Sequence, residues 1–278
     1  VTGAPVLQLR AVSKRFGAVQ ALTSVDLDIH GGQVLALVGD NGAGKSTLVK
    51  TIAGVHPADE GTLTWHGRPV RPARPQDATA LGIATVYQDL ALCDNLDVIA
   101  NLHLGHEKTR HGLLDETAME HRARRLLDTL AIRIPDLHTP VAQLSGGQRQ
   151  VIAIARALIG EPSLVILDEP TAALGVEQSA QVLDLVERLR ERGLAVILVS
   201  HNMADVTAVA DTVAVLRLGR NNGLFPLPAT TQEQIIAAIT GATDNAHTRR
   251  AHRTHPDGPT GPDGAAGPTG STGQEDAA

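Results

Sequence analysis

Nine consecutive residues, Gly39-Asp40-Asn41-Gly42-Ala43-Gly44-Lys45-Ser46-Thr47, carry the group types that hold a phosphate. The apolar run Val34–Val38 precedes them and Leu48–Ala53 follows. The loop therefore joins a buried strand to a helix, the setting that the pattern G-x-x-x-x-G-K-[ST] requires. Its glycines let successive N–H groups turn inward as an anion nest, and a helix beginning near Lys45 adds the positive end of its dipole. Lys45 supplies a mobile charge for β- and γ-phosphates, and Ser46 a hydroxyl for Mg²⁺. The pattern predicts nucleotide binding.

A second stretch, Leu164-Val165-Ile166-Leu167-Asp168-Glu169, is an apolar strand ending in two carboxylates. In a P-loop fold this strand is expected beside the one that carries the loop. Asp168 is then placed to hold Mg²⁺, and Glu169 to orient and deprotonate an attacking water. Apolar runs ending in acids are common, so this motif gains its weight from the loop upstream. A third, Leu144-Ser145-Gly146-Gly147-Gln148, precedes a helix. Ser145 is either a plain N-cap followed by flexible glycines or the start of a second phosphate nest.

Gly39–Thr47, Gln88, Leu144–Gln148, Asp168-Glu169 and His201 occur in this order. Together they resemble the ATP-binding subunit of ABC transporters over residues 6 to about 240, and Leu144–Gln148 is the most specific of them. The resemblance implies an α/β fold: a P-loop NTPase with a mainly parallel core sheet, an N-terminal antiparallel β subdomain and an inserted helical subdomain. It implies that the loop Gly39, Asp40, Asn41, Gly42, Ala43, Gly44, Lys45, Ser46 and Thr47 binds ATP. Ser46 and Gln88 would contact Mg²⁺ with Asp168 beside them. Glu169 would be the general base and His201 would contact the γ-phosphate. Phe16, in Ser13-Lys14-Arg15-Phe16-Gly17, would stack on adenine, with a core role as its competitor.

The same resemblance implies assembly. Each ATP would lie between the loop of one subunit and Ser145, Gly146, Gly147 and Gln148 of a second copy. Ser145 and Gly147 would reach the partner's γ-phosphate. Such an ATP-dependent homodimer would drive a transmembrane permease from the cytoplasmic face of the membrane. One position departs from the family: Thr171-Ala172-Ala173-Leu174-Gly175 ends in glycine where many members carry an aspartate that couples the two sites. Gly39–Thr47, Val86-Tyr87-Gln88-Asp89, Thr171–Gly175 and Leu218–Gly223 further resemble importers of simple sugars of the ribose and xylose type. An extracytoplasmic sugar-binding protein is then an indirect partner. Import of another small solute is the near alternative. A soluble ABC protein acting on nucleic acid or ribosomes is a rival from another class. Its marks, which are fused cassettes, an inserted coiled coil or a zinc module, do not appear in the sequence. Glu169 speaks against a nucleotide sensor without turnover.

The elements that must position these groups alternate along the chain. Val6–Val12 and Val25–Ile29 read as half-exposed strands by their two-residue period. Gly61–Trp65, Ile83–Tyr87, Leu164–Leu167, Leu194–Ser200 and Thr212–Leu218 read as further strands. Arg68–Pro75 reads as an irregular surface segment. Asp97–Leu104, Asp115–Ile132 and Gly147–Ile159 read as helices. They form a helical block over about 88–158 that interrupts an α/β core. Val176–Arg192, Met203–Ala210 and Thr231–Ile239 are later helices, the last capped by Thr231 and stopped by Gly241. The alternation predicts a mainly parallel sheet covered on both faces. Residues 1–241 are expected to form the ATP-binding domain. Residues 242–278 contain no Val, Leu, Ile, Met or aromatic residue and are expected to be a disordered Gly/Pro-rich tail. Glycines at 258, 261, 264, 267, 270 and 273 follow the collagen period, but six triplets are short for a triple helix.

Composition limits the alternatives. Hydrophobic residues are 42% of 278, and only Phe16, Trp65, Tyr87 and Phe225 are aromatic. The core must therefore be aliphatic, and base stacking has little material. A net charge of -6 argues against nucleic acid as a partner. The single cysteine, Cys93, suits a reducing compartment and reads as a packing residue. No signal peptide and no membrane-span-length apolar run are evident, so a cytosolic chain with a membrane link through a partner is expected. His103, His106, His111 and His121 fit no zinc spacing and read as a wet helical surface. Glu187–Arg192 reads as a solvated helix face.

Overall fold

The computed structural model describes residues 3–242; the Gly/Pro-rich tail expected over 242–278 lies, apart from its first residue, outside the described residues. Chain order begins with β1 (Leu7–Phe16), β2 (Val19–Ile29), β3 (Gln33–Val38), α1 (Lys45–Ile52), β4 (Glu60–Trp65) and β5 (Arg68–Val70). It continues through α2 (Pro75–Leu81), β6 (Ile83–Val86), α3 (Val98–His103), β7 (Thr109–Arg110), β8 (Leu113–Leu114), α4 (Glu116–Thr129) and α5 (Gly146–Leu158). The last third is β9 (Leu164–Asp168), α6 (Val176–Glu191), β10 (Ala195–Val199), α7 (Met203–Val209), β11 (Thr212–Arg217), β12 (Arg220–Pro226) and α8 (Gln232–Thr240).

The fold is α/β. A six-stranded sheet runs β12-β11-β3-β10-β9-β6. Its pairings β11·β3, β3·β10, β10·β9 and β9·β6 are parallel, and only the edge strand β12 is antiparallel. A second sheet, β2-β1-β4-β5, is antiparallel throughout. Strand β3 shows why these runs are continuously apolar: all six of its residues are buried, as expected where both faces of a parallel sheet are covered. Alternate residues feed different cores. Val34 joins the side chains of α3 to α6, including Ile152, Val182 and Leu185. Leu35 and Leu37 join α1 and the antiparallel sheet, including Leu48, Ile52, Leu7 and Ile29. Ala36 and Val38 pack with Val206 and Ile235 of α7 and α8. Truncating a side chain such as Leu37 to alanine removes one of these contacts at a cost of about 2–5 kcal/mol.

Two sequence readings are corrected here. Strand β9 does not lie beside β3: β10 is inserted between them, pairing Val199 with Leu37 on one side and Asp168 on the other. The carboxylates thus reach the loop across the end of β10. The segment Arg68–Pro75 is irregular only over residues 71–74. It pairs as β5 with β4, and Pro75 opens α2, because proline is favourable in the first turn, where its missing N–H has no partner to lose.

The helix ends follow their caps. Asp97, Asp115, Ser145 and Thr231 each accept a backbone N–H from the first turn of their helix, and Gly241 ends α8 at φ 79°. His103 departs from the wet surface expected for it. It is fully buried and its Nδ1 lies 3.0 Å from Ile99 O; burial lowers its pKa. His106, His111 and His121 are exposed. The run Glu187–Arg192 is only partly a solvated face. Arg188 donates to Leu130 O at 2.9 Å, and Arg190 pairs with Asp211 at 3.4 Å.

Candidate functional site

The loop after β3 is pinned by its glycines. Gly39 has φ 150°, and a Cβ there would come within 2.2 Å of Leu216 O on β11. Gly44 has φ 103°, and a Cβ there would meet Ala21 O on β2 at 2.8 Å. The loop is thus wedged between backbones of two sheets, at φ values that L side chains rarely adopt. Gly44 is also the N-cap of α1, and no side chain caps that helix. The helix's first bond is Leu48 N to Gly44 O at 2.9 Å. The N–H groups of Lys45, Ser46 and Thr47 therefore have no acceptor within the helix. Lys45 is buried and curls back so that Nζ donates to Gly39 O at 2.6 Å and Asp40 O at 3.1 Å. Burial lowers its pKa, while Glu169, Asp40 and Asp168 pull it back up. An uncapped helix start and a desolvated ammonium fit a polyphosphate.

Opposite the loop stand the ends of β9 and β10. Burial, then the charge of Glu169, raises the pKa of Asp168, against Lys45 and Lys50. Glu169 adopts φ 51°, in the left-handed region that costs a non-glycine residue energy. Its N–H donates to Val199 O at 2.9 Å, which ties it to the end of β10. Glu169 Oε1 lies 3.2 Å from His201 Nδ1. An open groove of about 700 Å³ is lined by Val38, Gly39, Asp40, Asn41, Glu169, Ser200 and His201, with Met203 and Ile239.

Gln88 is exposed, two residues beyond Val86, which pairs with Leu167. That register sets Gln88 at the same sheet edge as Asp168. The pKa of the intervening Tyr87 is raised by burial and by Asp168. Ser46 is exposed on the first turn of α1. The oxygens of Ser46, Gln88 and Asp168 are of the hard type that suits Mg²⁺. Among the described residues no group of three His, Cys, Asp or Glu is placed to hold a metal ion.

The remaining sequence-predicted residues lie elsewhere. Ser145, Gly146, Gly147 and Gln148 do not line the groove. Ser145 caps α5 in a reciprocal pair with Gln148, with bonds of 2.9 and 3.2 Å. Neither glycine has a positive φ. Gly147 is demanded by packing, since a Cβ there would sit 2.9 Å from Gln178 Cβ on α6. Gly175, the N-cap of α6, has open space around it. Phe16 closes β1 at 42% exposure, with its ring edge-on to His56 at 5.0 Å and Lys14 Nζ 5.4 Å from the ring centre.

Sequence reading missed one polar contact beside the groove. Asp205 on α7 is buried, and its Oδ2 accepts a 2.6 Å bond from Thr171 Oγ1. The bond ties the segment behind Glu169 to the helix behind His201. Nothing in the residue spacing pairs these two; the β9·β10 adjacency does.

The model of the family described as ABC transporter matches residues 22–172, more than half of the chain. The chain is 46% identical to the xylose/arabinose import ATP-binding protein XylG of Sulfolobus acidocaldarius over 77% of its length and 86% of the relative's. It is 43% identical to the fructose import ATP-binding protein FrcA of Rhizobium meliloti, over 86% of this chain and 95% of that one. Ribose and xylose import ATP-binding proteins from other bacteria are matched over about half of their own length. Among solved structures, a dimeric post-hydrolysis ATP-binding cassette bound to ADP and Pi superposes with a TM-score of 0.67 at 26% identity, covering 80% of this chain and 98% of that one. With the phosphate loop, the paired carboxylates and these matches in hand, the chain belongs to the ABC transporter family and is one of its ATP-binding, ATP-hydrolysing cassettes.

Proposed function

We propose that this cassette powers a membrane permease that imports a simple sugar, working as a homodimer that closes around two ATP molecules. The observation that supports the reading is an exposed helix start outside the groove. The groove is lined by Gly39, Asp40, Glu169 and His201, while Ser145 is exposed at the start of α5 and bonds to Gln148 of its own helix. A second copy would bring its Ser145 and Gly147 to the open side of the groove and complete each site. The relatives' sugar-import names support the substrate class.

In this reading the loop 39–47 binds the phosphates through its backbone N–H groups and Lys45. Ser46, Gln88 and Asp168 would hold Mg²⁺, which when bound neutralises charge on the phosphates. Phe16 stacks on adenine. Glu169 accepts a proton from the attacking water, and His201 orients Glu169 and contacts the γ-phosphate. Residues 1–241 form the ATP-binding domain, with 88–158 as its helical part, and 242–278 a tail. No described helix is long and apolar enough to cross a membrane. As a cassette serving a permease, the chain would sit at the cytoplasmic face of the membrane. An extracytoplasmic sugar-binding protein is the indirect partner, and nucleic acid is not one.

Affinity capture of the chain from its own membranes tests the substrate class. A permease and a sugar-binding protein whose ligand stimulates ATP turnover are expected. A permease stimulated by amino acids or metals, and not by sugars, would overturn the sugar reading while leaving the cassette chemistry intact.

A further inference from the structure

We propose that Arg156 is a positioning residue that holds the Gln88 loop to the far end of α5. Its guanidinium donates to Ala91 O at 2.7 Å through one terminal nitrogen and to Leu90 O at 2.6 Å through the other. Both are short, charge-assisted bonds to neutral carbonyls. The clamped stretch is strained where Arg156 meets it. Ala91 sits at φ 49°, where a side chain is strained, and its N–H is turned onto Asp89 Oδ1 at 3.1 Å. Residues 87–96 contain no helix or strand, and the buried Asn101 side chain pins the later part of the stretch at Cys93, Leu96 and Asp97, which leaves the part next to Gln88 to Arg156. The guanidinium is part-desolvated, and burial lowers its pKa. Such a group is retained where its hydrogen bonds are needed. The fork matters, because a lysine ammonium is a single point charge and spans two adjacent carbonyls poorly.

The other end of α5 is Ser145. Eleven residues of helix rise about 16 Å, so one rigid element carries Ser145 at its start and the Gln88 clamp near its end. A movement of Ser145 toward a partner would then pull on the loop that carries Gln88.

The proposal rests on the reading of Gln88 as a Mg²⁺ contact, and a double-mutant cycle separates the two. Steady-state ATP turnover and its Mg²⁺ dependence are measured for the full chain, for Arg156→Gln, Arg156→Lys and Gln88→Ala, and for Arg156→Gln combined with Gln88→Ala. Melting temperatures are measured alongside. Arg156→Gln is expected to lower kcat about 10–100-fold, the range for groups that orient metal ligands, and to raise the half-saturating Mg²⁺. Affinity for ATP in EDTA should stay within about twofold, because Lys45 and its loop are untouched. Arg156→Lys should recover part of the loss, and Arg156→Gln should cost nothing further in the Gln88→Ala background. Equal losses in both backgrounds would overturn the clamp, as would a loss that follows melting temperature with Mg²⁺ dependence unchanged. If Gln88→Ala alone leaves turnover and Mg²⁺ dependence intact, the reading of Gln88 fails and the clamp falls with it.

Discussion

Glu169 Oε1 and His201 Nδ1 lie 3.2 Å apart across the ends of two neighbouring strands, with the glutamate 24% and the histidine 67% exposed. The less exposed partner carries a strained backbone, and both line the groove. A histidine so placed can hold the carboxylate toward the nucleotide without sharing its burial. His201→Ala should therefore lower kcat about 100-fold, the span of one lost acid–base or orienting group, with the KM for ATP changed far less. Steady-state kinetics check this split, and a large rise in KM at unchanged kcat would assign His201 to ground-state binding.

The buried Asp168 predicts a pH dependence of stability. Burial and Glu169 raise its pKa above the ordinary 3.8, so the folded chain holds that proton more tightly than the unfolded chain. Stability from this group is complete below about 3.8 and is lost as pH rises through the raised folded value. Asp168→Asn should accordingly raise the melting temperature at neutral pH in the absence of metal. The difference should shrink as pH falls toward the lower limit. Thermal melts across pH check it, and a variant less stable than the parent at neutral pH would contradict it.

Two glycines, one in α5 and one at the start of α6, should respond with opposite signs. Gly147→Ala forces a Cβ to 2.9 Å from Gln178 Cβ and should destabilise the chain by about 1–3 kcal/mol. Gly175→Asp enters open space at an uncapped helix start and should stabilise by a few tenths of a kcal/mol, roughly the asparate-to-glycine difference at an N-cap. Denaturant melts of the two variants read the sign directly.

Phe16 is exposed at the end of β1 beside His56 and Lys14. Base–aromatic stacking contributes about 1–3 kcal/mol, so Phe16→Ala should weaken ATP binding by about tenfold or more while Phe16→Tyr preserves it. Calorimetric titration with ATP and with inorganic triphosphate separates the roles. A core role would instead lower the melting temperature and leave the ratio of the two affinities unchanged.

Much of this was legible in the residues, for reasons that can be named. Runs such as Val34–Val38 and Leu164–Leu167 are apolar on both faces, which marks covered parallel strands. Asp115 and Thr231 announce helices through caps that the structure contains. Strand order was not legible: β10 follows α6 in sequence yet inserts between β3 and β9, and no local pattern encodes that. Strand β12 went unseen because Arg220–Gly223 has turn-like composition, tolerated on an antiparallel edge. Pro75 reads as a breaker from sequence and proves to be a helix start. Of the site, the loop and carboxylates were legible because phosphate and cation chemistry dictates residue types at fixed spacing. Asp205 with Thr171, and Arg156 with Leu90 and Ala91, were not, since such contacts depend on which strands and helices meet.

The account turns on the nucleotide site being split between two copies, and the mass of the Glu169→Gln chain in solution tests that most directly. Light scattering should give a monomer without nucleotide and a dimer with Mg²⁺ and ATP, because binding persists while hydrolysis does not reopen the interface. A monomer under both conditions at saturating ATP, or a dimer indifferent to ATP, would contradict it.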